Sequence, residues 1–370
     1  MPPYKLISSD SHVTEPADLW EKRIDPEFRH RAPFLAHEEH GDQWYVDGNL
    51  KFGVPSNVQA GVRFDDPRRI SLEGRYEGPH MRGLDPDSHV QDLDLDGVAG
   101  AVLYPSQGLS LYLVPDGELV SACFRAYNDY VAEFCRPYPD RLKGIGMISV
   151  DDVGDAVREL HRVAKMGLAG VMIPIAPLDP PYTHPDYEPL WAACQDLALP
   201  ISLHTGAIRA TTFVDVIALN LDPVRMTNKE VKAREALAGM IFSGVFERYP
   251  KLKCGSVEFE VGWAPFFIER MDYYYKERPA GHRGYRFKGD ALPSDFFHKN
   301  VFVSFQEDEL GMQLRHHIGV DNLLWGSDYP HAESTFPRSR EIVERILTGV
   351  PHEEKVKIAG ENAARVYQFE

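Results

Sequence analysis

The stretch DAVRELHRVAKMGLAGVMIPI, residues 155–175, contains a complete helix-to-strand unit. The apolar residues of DAVRELHRVAKMG, 155–167, recur at helical spacing, as in an amphipathic helix. LAGVMIPI, 168–175, then runs almost without a polar residue for the length of a strand. A strand that is apolar on both faces suits a parallel sheet covered by helices.

Working outward, further short apolar runs bounded by turn or polar residues read as strands at 4–10, 98–105, 142–149, 200–205, 251–259, 301–305 and 322–327. With 168–175 they make eight, and amphipathic stretches such as LWAACQDLAL at 190–199 lie between them. The alternation predicts an α/β fold in which right-handed crossovers close eight units into a (β/α)8 TIM barrel, with a doubly wound open sheet as the rival. The 370 residues suit one domain, 1–370, carrying loop insertions. Three connections far exceed the usual ~2–6 residues. They lie at about 18–90, 206–228 and 270–299 and are expected to cap the C-terminal mouth. The first holds HRAPFLAHEEHGDQWYVDGNLKFG (30–53), read as a small hairpin cap. The third holds DYYYKERPAGHRGYRFKGD (272–290), rich in aromatic and basic residues.

Composition removes several functional classes. The formal charge of -16 argues against sequence-independent nucleic-acid binding, which needs clustered Lys and Arg. No apolar stretch approaches the ~20 residues of a membrane span, and MPPYKLISSDSHVTEP lacks the basic-then-apolar pattern of a signal peptide, so a cytoplasmic protein is expected. Cys123, Cys135, Cys194 and Cys254 are scattered with no Cys-x-x-Cys pair, which leaves any metal to His and carboxylates. No Gly-x-Gly-x-x-Gly or phosphate-loop pattern follows a strand, which sets nucleotide enzymes aside.

In a barrel, side chains at the C-terminal ends of the strands converge on one mouth. Asp10 and His12, two apart in an extended segment, project to the same side. His204 ends the run ISLHTG, Glu258 ends CGSVEFE, and Asp328 follows LLWGS. Any one of these is ordinarily a hydrogen-bonded His or a turn Asp. Together they would bury unpaired charge at considerable cost, which a divalent cation offsets. Asp10, His12, His204, Glu258 and Asp328 are therefore the candidate metal ligands. Without thiolates the set suits Zn²⁺, Fe²⁺ or Mn²⁺, with one ion expected and room for a second.

The motifs DSHVTEP (10–16), SLHTG (202–206), FERYPKLK (246–253), WGSDYPH (325–331) and GENAARVY (360–367) together resemble the amidohydrolase-related branch of the metal-dependent amidohydrolase superfamily. This is the branch of aminocarboxymuconate-semialdehyde decarboxylase-like enzymes. The resemblance implies a TIM barrel with metal at its mouth, held by Asp10, His12, His204 and Asp328. This chain departs from the family pattern in two places. Many members carry His or Glu where Asp10 stands, and many decarboxylase-like members carry His where Glu258 stands. The resemblance allows two reactions. The first is hydrolysis of an amide, ester or thioester carbonyl in a small organic acid or acyl substrate, with Asp328 as general base, Glu258 as a further acid/base group and His331 binding substrate or a developing oxyanion. The second is non-oxidative decarboxylation of an aromatic or unsaturated acid, with Asp328 as proton donor. The Glu258 departure tilts the expectation to hydrolysis. A non-catalytic metal-binding barrel is the contrasting reading, and the intact ligand set argues against it.

Decarboxylation calls for a cation facing the substrate carboxylate, and Arg63, Arg68, Arg69 and Arg209 are candidates, each equally at home in a solvated loop. Glu15, just before Pro16, reads as a helix cap that can also approach the metal, and His184 as a turn residue on the mouth side. Tyr273, Tyr274 and Tyr275 read as core, pocket wall or subunit contact. A small-molecule substrate is expected. The basic run 276–290 suggests a large anionic one such as an acyl-CoA, and a homodimer is the default assembly.

Overall fold

A computed structural model describes residues 4–48, 50–53, 58–71, 74–76, 82–212, 222–278 and 286–370. Strand β1 (Leu6–Val13) is followed by three short strands of the first insertion, β2 (Phe34–Glu38), β3 (Gly41–Val46) and β4 (Leu50–Gly53). Then come β5 (Val98–Pro105), β6 (Leu142–Met147), β7 (Gly170–Ile173), β8 (Ile201–His204), β9 (Cys254–Val257), β10 (Val301–Phe305) and β11 (Leu323–Trp325). The main sheet runs β1-β5-β6-β7-β8-β9-β10-β11 with every neighbouring pair parallel, and helices fill the intervals.

The helix Val153–Met166 shows how sequence sets each unit. Asp152 caps it by accepting from the Asp155 amide at 2.7 Å, and Gly167 ends it at φ 82°. Of the apolar residues in this amphipathic stretch, Ala156, Leu160 and Val163 are the ones it buries. Truncating the fully buried Leu160 to Ala would cost roughly 2–5 kcal/mol.

Closure of the sheet rules out the open-sheet rival. Beyond Trp325 the chain pairs back onto β1: the His12 amide donates to Tyr329 O at 2.6 Å and the Asp328 amide to Asp10 O at 2.8 Å. The hydroxyls of Ser8, Ser11 and Ser327 lie 2.9–3.1 Å apart in the same seam, and Ser8 Oγ also accepts from the Ser327 amide at 2.9 Å. Gly326 is required there, because a Cβ would sit 2.6 Å from that of Asp10. First and last strands thus join through the residues expected to carry the chemistry.

Strand bounds differ from the sequence reading at two useful places. β1 continues to Val13, so Asp10 and His12 lie inside it. β9 stops at Val257, which leaves Glu258 in the turn beyond at φ 67°.

The first insertion folds into an antiparallel β2-β3-β4 sheet, a hairpin with one strand more than expected. Buried Asp42 anchors it by accepting from Arg75 Nη1 at 2.9 Å and the Tyr76 amide at 2.8 Å. Farther along, the Ala60 amide donates to Pro330 O at 3.0 Å and Arg63 Nε to Ser334 O at 2.8 Å, so the insertion braces the loop that carries Asp328. Of the second insertion, 213–221 lie outside the described residues. In the third, the helix Ala264–Glu277 simply continues and the helix Pro293–Asn300 follows, while 279–285, within the basic run that suggested an acyl-CoA, lie outside the described residues. All four cysteines are free and buried. Among the described residues no helix is long and apolar enough to cross a membrane.

Candidate active site

Both strand-borne histidines are fixed by the backbone. His12 Nδ1 faces Pro105 O at 2.7 Å and His204 Nδ1 faces Thr205 O at 2.9 Å, so each ring donates there and turns Nε2 inward. The two Nε2 atoms meet at one oxygen, Asp10 Oδ1, at 3.4 Å from His12 and 3.3 Å from His204. His12 Nε2 also lies 3.1 Å from Asp328 Oδ1. Glu258 Oε2 is 3.7 Å from His204 Nδ1. Asp328 stands at φ 57° and Glu258 at φ 67°, left-handed conformations that an L side chain holds only when its surroundings insist.

These groups fit a divalent cation. One ligand atom from each of Asp10, His12, His204 and Glu258 falls within a 4.8 Å span, as does one from each of His12, Asp328 and His331. Asp10 Oδ2 and His12 Nε2 are buried without a hydrogen-bond partner among the described residues. The His12 to Asp328 approach is close in distance but is no hydrogen bond, which suits two atoms aimed at a shared ion. Burial would raise the Asp10 carboxyl, but the His204 and His12 imidazoles outweigh it and hold it below the ordinary value. Burial would lower His12, yet Asp10 and Asp328 hold its imidazole well above the ordinary value. A cation bound here would displace the proton that Asp10 and Asp328 favour on His12.

His331 completes the cluster. Its Nδ1 is 2.9 Å from Asp328 Oδ1, its Nε2 is 3.0 Å from Ser106 Oγ, and its ring lies over that of His12 with centroids 3.9 Å apart. Burial and the charge of His12 press the His331 imidazole below its usual pKa. Burial works against ionisation of Asp328 too, but His331 and His12 hold its carboxyl far below the ordinary range.

The other sequence candidates lie elsewhere. The Glu15 carboxylate accepts from the Gln107 and Gly108 amides at 2.9 and 2.8 Å, so it caps the turn Gln107–Leu113 rather than the helix after Pro16. His184 caps the short turn Pro185–Tyr187. Tyr273 and Tyr274 are exposed beside Arg270, and Tyr275 stacks on Phe287. None of the four arginines is an uncommitted cation. Arg63 binds Glu307, Arg68 binds Asp66, Arg69 pairs with Asp65, and Arg209 holds Asp151 at 2.9 Å and Val114 O at 2.6 Å. The cation that the sequence reading missed is Lys229, whose Nζ lies 3.7 Å from Glu258 Oε1. Among the described residues no other Lys or Arg is ion-paired with Asp10, Glu258 or Asp328. Burial opposes its charge, but Glu258, Glu333, Glu260 and Asp328 together raise its pKa. Burial in turn pushes Glu258 up to about 7.

A closed parallel barrel with clustered imidazoles and carboxylates at the strands' C-terminal ends defines the class of metal-dependent barrel enzymes. Residues 114–369 match the amidohydrolase family model, and the chain belongs to that family. It is 25% identical over 345 residues to the gamma-resorcylate decarboxylase of Rhizobium sp. (strain MTP-10005), covering 86% of this chain and 96% of that one. It is 24% identical over 250 residues to the 2-amino-3-carboxymuconate-6-semialdehyde decarboxylase of Dictyostelium discoideum, covering 66% and 67%. Among solved structures it is similar to a dihydroxybenzoic acid decarboxylase of Polaromonas sp. JS666 with bound manganese and the inhibitor 2-nitroresorcinol. That similarity has a TM-score of 0.65 and 18% identity, and covers 99% of this chain and 97% of the other.

These relatives overturn the expectation of hydrolysis, since the named reactions are decarboxylations. The physical reason lies at Glu258. Its carboxylate faces Lys229 and His204, so its presence in place of His is no sign of a base waiting for water.

Proposed function

We propose that this enzyme catalyses the non-oxidative decarboxylation of a small aromatic or unsaturated carboxylic acid at the barrel mouth. The observation that carries the reading is a family member with a clustered His and carboxylate site whose relatives, matched over most of the chain, are decarboxylases of such acids. Asp10, His12, His204 and Asp328 would hold one divalent ion, with Mn²⁺ favoured by the manganese in the dihydroxybenzoic acid decarboxylase structure. When bound, that ion supplies Lewis acidity to the substrate's oxygen donors.

The chain's own residues account for the rest. Lys229 faces the carboxylate to be lost and exchanges its contact with Glu258 for one with substrate. Asp328, ionised in the free site, takes up a proton relayed from solvent through His331 once the substrate's negative charge lies beside it, and delivers that proton to the carbon bearing the substrate carboxylate; the carbon–carbon bond then breaks, its electron pair returns to the ring, and carbon dioxide leaves. His331, at 2.9 Å from Asp328 and steadied by Ser106, returns a proton to Asp328.

The test is a panel of hydroxybenzoates, including 2,6-dihydroxybenzoate, incubated with manganese-loaded protein while carbon dioxide release is followed. Turnover of at least one acid is expected. No release from any member by metal-loaded, folded protein would contradict the reading.

A further inference from the structure

At the opposite end of the barrel, a cleft of about 540 Å³ opens beside Pro200, Lys253, Val301 and Asn322, which lie at the starts of β8, β9, β10 and β11. Its size lies within the ~300–1,000 Å³ usual for small-molecule sites. Four permanent cations line it, Lys251, Lys253, Lys357 and Arg365, against the single carboxylate of Asp321. This excess stands on a chain whose formal charge is -16, where acidic partners are plentiful.

Asp321 is already committed, since Lys357 Nζ lies 2.9 Å from its Oδ1. Lys253 Nζ donates to the carbonyl of Lys299, and Arg365 Nη2 to that of Asp321 at 2.6 Å. Among the described residues, Lys251, Lys253 and Arg365 have no ion-pair partner. The charges of Arg365 and Lys253 are close enough to interfere: partial burial, then the charges of Arg365 and Lys299, lower the pKa of Lys253. Cations from three separate segments of chain, 251–253, 357 and 365, therefore line one cleft, and within it Arg365 repels Lys253. An anion relieves that repulsion. Leu199, Phe302 and Val366 add an apolar lining, which favours an anion with a hydrophobic body over a bare ion.

We infer that this basal cleft binds a phosphorylated small molecule carrying an apolar or ring-shaped body. Multivalent oxygen anions match converging Lys and Arg donors, and the ring would lie along the apolar lining.

The probe is phenyl phosphate, titrated calorimetrically into the full-length, metal-loaded protein, with inorganic phosphate and phenol as parallel arms. Saturable binding of phenyl phosphate, tighter than that of either control, is expected. Lys253→Ala/Arg365→Ala should weaken it by about tenfold or more, with Lys251→Ala as a milder second variant. All three side chains are exposed, so melting temperature without ligand should stay unchanged. Asp328→Asn, at the far end, should leave binding intact. The inference is overturned by absence of saturable binding at millimolar concentrations, or by equal affinity in the basal variants. Loss in Asp328→Asn alone would put the anion at the mouth and overturn it as well. Inorganic phosphate binding as tightly as phenyl phosphate would overturn the ring-bearing ligand.

Discussion

The two ends of the barrel both crowd ionisable groups together, with opposite outcomes. At the mouth Asp10, His12, His204 and Asp328 are each at most 2% exposed, and each lies within ion-pair distance of another member. At the base Lys251, Lys253 and Arg365 are exposed and, among the described residues, lack acidic partners. Water screens the base, so repulsion there is tolerable and its cations can be exchanged at little cost to the fold. The mouth has no such relief. Buried charge must be matched side chain by side chain, and the seam that closes the barrel passes through the same residues.

That contrast is most easily broken at His12. His12→Ala removes an inward-facing nitrogen shared with Asp10 and Asp328, and should abolish both bound metal by elemental analysis and turnover. Asp328→Asn should be more selective, keeping fold and much of the metal while lowering the decarboxylation rate by about 10²–10⁴-fold. Near-normal turnover in that variant would remove Asp328 as proton donor. Lys229→Met should raise KM for the acid by roughly 10–100-fold, while affinity for the decarboxylated product changes little. Equal loss for acid and product would mean that Lys229 only shapes the site, and Lys229→Arg should recover part of the acid affinity. At the base, Lys253→Ala/Arg365→Ala should leave turnover within about twofold of the parent.

A smaller effect concerns a buried carboxyl away from the mouth. Asp96 accepts from the Ser339 amide at 2.9 Å and from its hydroxyl, yet burial pushes its pKa up to about 6. Because the folded-state value exceeds the unfolded one, the native protein takes up a proton first as pH falls. Asp96 therefore opposes folding above pH 6, and stability should rise by up to roughly 3 kcal/mol as pH drops from 6 towards 4. Denaturant melts of Asp96→Asn should show that part of the pH dependence removed, and an unchanged profile would reject the assignment.

The same difference between the ends explains what could be read from sequence. Eight apolar runs announced the barrel because strands buried on both faces leave no alternation to misread, and Asp10, His12, His204 and Asp328 stood out as polar residues against them. Lys229 carried no such contrast, since it lies beyond the second insertion, far from any strand in sequence. Glu15 was recognisable as a cap, but its true partner, the turn at 107–113, comes from tertiary packing. The basal cations, spread from 251 to 365, are individually ordinary lysines and arginines. Hydrolysis and decarboxylation draw on one ligand set, so residue types alone could not separate them.

In the proposed reaction, proton delivery by Asp328 replaces a carboxylate with hydrogen at the barrel mouth. Nuclear magnetic resonance of the reaction of manganese-loaded protein with a substrate acid from the hydroxybenzoate panel, run in deuterium oxide beside Asp328→Asn, tests it most directly. One deuterium is expected at the carbon that bore the carboxylate, with carbon dioxide released in equal amount and both signals lost in the variant. Undiminished deuterium incorporation by Asp328→Asn, or no carbon dioxide from the parent with any acid, would contradict it.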